Sequence, residues 1–203
     1  MAFRTLVIGY GNPDRADDGV AYHVVSAMRS RLGQGALADC GSSSGGTEYQ
    51  PRRSGTEYQP CHSRTEYQPC HSRTEYQTGL DDLGADIDSI LLTQLVPELV
   101  DTLGDYDQVI FVDAHVQEDA PDLHCASVLP DGTVSGFTHH MTPSMLLALF
   151  KALHHRDLVG YVVAIRGHGF GFGADLSTPT AALVLPAVEE ILRLAASGVG
   201  PQA

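Results

Sequence analysis

The chain has 203 residues, enough for one domain with a sizeable core, and 43% of them are hydrophobic, an ordinary share for a globular protein. Its formal net charge of −13 argues against nucleic acid or an anionic membrane surface as a partner. No apolar run is long enough to span a membrane, Met1-Ala2-Phe3-Arg4 reads as a direct lead into a strand rather than a signal peptide, and Cys40, Cys61, Cys70 and Cys125 form no Cys-x-x-Cys pair. A cytoplasmic chain with reduced thiols is therefore expected.

Thr5 to Ile8 is a short β-branched, apolar run that predicts a buried strand. Gly9, Gly11, Asn12 and Pro13 break it. Apolar spacing then turns helical at Val20, Val24 and Met28, predicting a helix from Asp17 to Leu32 that Gly33 and Gly35 stop. Asp17 and Asp18 fall at its start, where the helix dipole favours negative charge. Capping accounts for one of these carboxylates but not for two, nor for the glycines before them. A dinucleotide loop fails because Gly9-x-Gly11-x-x-Asp14 lacks the third glycine and two carboxylates would repel a pyrophosphate. A metal or acid–base site suits the residues better.

From about residue 41 to 79 the composition changes. Thr-Glu-Tyr-Gln recurs at Thr47, Thr56, Thr65 and Thr74 with a nine-residue period, and Gly41-Ser42-Ser43-Ser44-Gly45-Gly46 leads into it. Between Thr47 and Gln77 the only large apolar side chains are four tyrosines, too few to stack into a core. The Cys61-His62 and Cys70-His71 pairs do not have the spacing of a closed zinc site. The segment reads as a disordered, recently duplicated insertion in a single domain.

Ile87 to Leu92 predicts a second strand, and Gln94 to Val100 a short helix with Pro97 in its first turn. Asp107-Gln108-Val109-Ile110-Phe111-Val112-Asp113-Ala114 is the clearest strand, a continuous apolar run of the kind that helices cover on both faces. Asp113 at its end is either a carboxylate receiving backbone N–H groups or a ligand facing Asp18 across the switch point of a doubly wound sheet. A strand over Leu123–Leu129 follows. Thr142 and Pro143 then start a helix through Leu153, just after the loop pair His139-His140. His154-His155 ends that helix and reads as solvated. The last strand, Leu158 to Ile165, leads into the glycine-rich loop Arg166 to Gly173 and a C-terminal helix that Pro186 kinks or delays. His168 in that loop is a weaker candidate ligand. The expected fold is a three-layer α/β/α sandwich around a doubly wound, mostly parallel sheet of about five strands. No His-Glu-x-x-His helix is present, and the Gly-x-Ser-x-Gly match at Gly41-Ser42-Ser43-Ser44-Gly45 lies in the serine-glycine lead-in to the repeats rather than between an apolar strand and a helix, which argues against two common protease classes.

Gly9-Tyr10-Gly11-Asn12 followed by Asp17-Asp18-Gly19 resembles the opening motif of the [NiFe]-hydrogenase maturation endopeptidases. Gln94 to Leu99, the histidine loop before Pro143 and the final glycine loop with Leu176-Ser177-Thr178-Pro179 resemble later segments of the same family in the same order. The resemblance selects the ligand reading of Asp113 and implies a metal-touching trio of Asp18, Asp113 and His139, with His140 as the alternative one position on. Ser144 stands where some members carry the histidine. The loop around the site would be Gly9, Gly11, Asn12 and Asp17. The implied activity is removal of the C-terminal extension of a [NiFe]-hydrogenase large-subunit precursor after nickel insertion. The implied enzyme is an aspartic-type endopeptidase, expected to be monomeric. Its nickel would arrive with the substrate, and other divalent metals could substitute. Metal or carboxylate could activate the water. The alternatives are a non-catalytic metal- or hydrogenase-binding module and an unrelated α/β hydrolase. The resemblance also places the insertion between the first helix and the second strand, hence at the amino ends of the strands and away from the chemistry.

Overall fold

A computed structural model describes residues 3–32, 75–80, 86–131 and 141–197. The strands are β1 (Arg4–Tyr10), β2 (Glu75–Leu80), β3 (Asp86–Leu92), β4 (Gln108–His115), β5 (Leu123–Ser127) and β6 (Val159–Arg166). They form one six-stranded sheet in the order β2-β3-β1-β4-β6-β5. The inner four, β3, β1, β4 and β6, are mutually parallel, and the two edge strands run antiparallel. The helices are α1 (Val20–Arg31), α2 (Leu99–Leu103), α3 (Pro143–His154), α4 (Thr178–Ala182) and α5 (Val184–Ser197).

Alternation along the inner strands builds two cores, one on each face of the sheet. Val7, Ile110, Val112, Val163 and Ile165 face α1 and α5. Leu6, Ile8, Val109, Phe111 and Leu158 face α2 and α3, around Leu147 and Phe150. Chain order places β3 on one side of β1 and β4 on the other, so the switch point lies between β1 and β4. The three-layer, doubly wound fold is as expected. No described helix is long and apolar enough to cross a membrane.

The differences are local. The first helix begins with a 3-10 turn, Ala16–Gly19, before α1 proper. The helix expected from Gln94 starts at Leu99, and Pro97 sits in the turn before it, its carbonyl accepting Val100 N–H. Thr142 caps α3 as its spacing predicts, accepting Met145 N–H at 3.3 Å with Pro143 in the first turn. Pro186 falls in the first turn of α5, where a missing N–H costs nothing, and the C-terminal segment divides into α4 and α5 just before it.

The sixth strand is the larger correction. β2 contains most of the last Thr-Glu-Tyr-Gln copy, inside the segment expected to be disordered. It pairs antiparallel with β3, Glu75 beside Leu91 and Leu80 beside Asp86. An antiparallel edge strand is entered from the opposite end to its parallel neighbours. The chain therefore meets the sheet at Glu75 on the carboxyl side, level with Gly9, which itself pairs with Leu91. The expectation that the whole inserted segment joins the sheet at the amino ends does not hold at this junction. Residues 33–74, which hold most of the repeats, lie outside the described residues.

Candidate active site

The carboxyl ends of β1 and β4 carry the two carboxylates that the sequence singles out. β1 and β4 pair in register as far as Gly9 beside Val112, so Tyr10 and Asp113 are the next residues along each strand. Both point to the α2/α3 face, Tyr10 after Leu6 and Ile8, Asp113 after Val109 and Phe111. Asp113 is half-buried. Its Oδ1 accepts Ala114 N–H at 2.8 Å, and the Tyr10 hydroxyl donates to the carboxylate. Burial raises the Asp113 pKa; the bonds from Tyr10 and Ala114 pull it down; the nearby charge of Asp18 pushes it up again. The net result is about 6. Burial and the negative charge of Asp113 raise the Tyr10 pKa as well, so the phenol stays a donor.

Asp18 enters the site from the 3-10 turn after β1, and its Oδ2 accepts Asn12 N–H at 3.1 Å. Gly11 makes this approach possible. It holds φ +138°, and a Cβ there would stand 2.0 Å from the Asp18 carbonyl oxygen. Gly9 serves packing instead, since a Cβ would press on Leu91, Val25 and Ala21. Gly9, Gly11 and Asn12 thus act on this turn in three ways: close packing, room for the Asp18 backbone, and an N–H for the Asp18 carboxylate.

Asp17, the neighbour of Asp18, does something the sequence does not announce. It is fully buried. One carboxylate accepts four hydrogen bonds, from His168 N–H at 2.7 Å, Gly169 N–H at 2.8 Å, and Ser177 N–H and Oγ–H at 2.7 Å each, while Thr180 Oγ1 lies 3.0 Å away and divides its one proton between Asp17 and the Arg166 carbonyl at 2.9 Å. Burial alone would raise its pKa; the bonds from Ser177, His168 and Gly169 outweigh that and hold it below the usual carboxylate range. The glycine-rich loop is fastened at further points, with Asp17 N–H donating to Gly169 carbonyl at 3.0 Å and Gly173 N–H to Asp14 carbonyl at 3.0 Å. Within that loop Phe170 folds back over Gly167, where a Cβ would meet its ring at 2.5 Å, whereas Phe172 is 99% exposed. His168 takes part through its backbone, and its side chain is exposed.

His139 and His140 lie outside the described residues, so the third member of the expected trio has no structural account. Among the described residues no group of three His, Cys, Asp or Glu side chains comes together to hold a metal ion. Met141, next to the histidine pair in sequence, packs on the α2/α3 face core, the face to which Asp113 points. His154 and His155 are exposed at the end of α3, with His154 stacked on Phe150. Tyr10 was not singled out beforehand. Its part follows only from the β1–β4 register.

Neither a family model nor a curated protein matches the sequence. Solved structures do match. The hydrogenase maturating endopeptidase HybD from Escherichia coli aligns over 95% of this chain and 91% of that one, with 17% identity and a TM-score of 0.54. The [NiFe] hydrogenase maturation protease HybD from Thermococcus kodakarensis aligns over 95% and 99%, at 15% identity and a TM-score of 0.53. An endopeptidase from Escherichia coli known from a solution structure aligns over 97% and 95%, at 17% identity and a TM-score of 0.57. The fold is that of the hydrogenase maturation endopeptidases. In this maturation-endopeptidase fold the carboxyl end of the β1/β4 switch point is the natural ligand crevice. Here that crevice holds one carboxyl with a proton affinity suited to transfer near neutral pH, beside a second within range of its charge.

Proposed function

We propose that the chain is an endopeptidase of the hydrogenase maturation kind, cutting the C-terminal extension from a [NiFe]-hydrogenase large-subunit precursor once nickel has been inserted. What supports this reading is that the end of β4, which carries Asp113, and the turn after β1, which carries Asp18, meet closely enough for the Asp18 charge to bear on Asp113, in a fold shared with such enzymes. The aspartic type of mechanism follows from the two carboxyls. A carboxylate can take a proton from an attacking water and then hand it to the leaving amine. Asp113 is suited to take the proton because its carboxyl ionises at about pH 6 and is then a base strong enough to receive it. Tyr10 orients it by donating from the phenol, and Asn12 N–H orients Asp18.

Nickel belongs to the substrate in this reading. A nickel-bearing precursor would be recognised by oxygen ligands from Asp18 and Asp113 and by an imidazole from His139, with His140 as the alternative, a donor set that first-row divalent ions accept. Above about pH 6 the Asp113 carboxylate is free to ligate, and below it the proton competes. The reading implies a cytoplasmic enzyme acting as a monomer on one protein partner.

The test is cleavage of a nickel-loaded large-subunit precursor followed by mass spectrometry. Wild type should trim the C-terminus. Asp18→Asn and Asp113→Asn should each lose at least about a hundredfold in rate while remaining folded. His139→Ala should lose recognition, or His140→Ala if the register is one residue on. A wild type inert on every precursor would sink the reading.

A further inference from the structure

Two imidazoles stand outside this constellation. His115 is the last residue of β4 and His124 the second of β5, with β6 running between those strands. Asp113 and His124 both pair with Ala164 of β6, and His115 pairs with Arg166. Alternation puts both histidines on the same face of the sheet as Tyr10 and Asp113. Ala164, the residue between Asp113 and His124 in their row, contributes only a methyl group, so the rings meet across it. Their centroids are 5.0 Å apart with planes at 68°.

Three of the four ring nitrogens, His115 Nδ1, His115 Nε2 and His124 Nδ1, are buried and have no hydrogen-bond partner among the described residues. The Pro121 carbonyl lies near the His115 ring without meeting hydrogen-bond geometry. An edge-to-face contact explains why the rings touch. It does not explain three unsatisfied polar atoms in one place, which proteins rarely leave without a water or an ion. The spacing matches a shared ion. With a metal–nitrogen bond of about 2.1 Å each ring centre stands about 3.2 Å from the ion, so two ligating rings are about 4.5 Å apart at a right angle and about 5.2 Å apart at the tetrahedral angle. Arg166, whose charge bears on His115, is paired with Asp122 at 3.2 Å, which offsets its repulsion. The strongly acidic chain raises the local concentration of cations.

We propose that His115 and His124 form a two-imidazole site for one divalent first-row cation, separate from the Asp18/Asp113 pair. Since no third described His, Cys, Asp or Glu converges there, water completes the coordination. The site is open, suited to holding an ion that exchanges rather than one locked in a closed shell.

Zn²⁺ is the diamagnetic probe, added to the full chain and followed by NMR of the histidine ring nitrogens, with calorimetry for affinity. One equivalent should shift His115 and His124 together, in wild type and equally in the Asp18→Asn, Asp113→Asn double variant. His124→Phe should abolish the shift at His115 and weaken this binding step at least tenfold. If His124→Phe does not fold, the wild-type and double-variant spectra decide alone. Unmoved His115 and His124 signals while other histidines respond, or shifts that vanish with the two carboxylates, would overturn the separate site. Loss of precursor cleavage bears only on the function proposed above, because the binding readouts involve no substrate.

Discussion

Asp17 is fully buried and Asp113 half-buried at the same end of the same sheet, and the structure treats them in opposite ways. Asp17 has as many donors as a carboxylate can use, so its charge is solvated by the protein and its pKa falls. Asp113 has two donors and a negative neighbour, so its charge is only partly compensated and its pKa rises to about 6. Burial is common to both. The number of N–H and O–H groups aimed at the oxygens decides the direction. The first arrangement fastens a loop. The second leaves a proton that can move. Asp18 differs from Asp17 by one position in the chain and by everything in its surroundings.

The comparison breaks most visibly at Asp17. Asp17→Asn keeps the shape but turns an acceptor into an amide facing N–H groups, and a hydrogen-bonded buried charge is lost. A destabilisation of about 3–5 kcal/mol is expected in urea unfolding. A change below about 1 kcal/mol would show that these bonds do not hold the loop.

The two carboxyls should also give opposite pH dependence. A lowered folded pKa means that the Asp17 contribution is present above the unfolded value near 4 and is lost as the pH falls through its folded value. A raised folded pKa means that the protonated Asp113 contributes fully below the unfolded value near 4, and this contribution is lost as the pH rises through about 6. Asp113→Asn should therefore flatten the stability profile between about pH 4 and 6 and leave the variant more stable than wild type at pH 8, by at most about 3 kcal/mol. Urea midpoints measured across that range check it, and an unchanged slope would remove the raised pKa.

Tyr10→Phe sharpens the same contrast with a smaller effect. Without the phenol Asp113 loses one of its two donors, its pKa rises further, and about 1 kcal/mol of stability is lost. The acidic limb of the cleavage pH profile should move to higher pH. A limb that stays in place would mean that the phenol does not set the proton affinity of Asp113.

Much of this contrast was hidden from a linear reading. The strand-glycine-carboxylate opening, the apolar run ending in Asp113 and the Thr142-Pro143 helix start are local patterns, so sequence spacing revealed them. The donors to Asp17 sit on a loop and a helix start more than 150 residues away, and serine, threonine and glycine N–H groups carry no sequence signature of their target. Tyr10 reads as a core aromatic until register places it beside Asp113. β2 escaped because an edge strand made from Glu75-Tyr76-Gln77-Thr78-Gly79-Leu80 lacks both the alternation and the apolar content that mark strands. His115 and His124 meet across an intervening strand, which only the strand order discloses.

The span of the Asp17 contacts has a consequence for synthesis. As the chain leaves the ribosome, the segment bearing Asp17 and Asp18 emerges before its donors from His168 to Thr180, which follow 151 to 163 residues after Asp17. Contacts of such long sequence separation form late, because a large loop must close before they stabilise anything. Until then Asp17 is a carboxylate without its partners, and Asp18 has no fixed neighbour on which to be positioned. A nascent chain can hold β1 and α1 without holding a working crevice. The Asp18 side of the crevice is not fixed until residues 168 to 180 have been made, and it forms with the closing of the glycine loop.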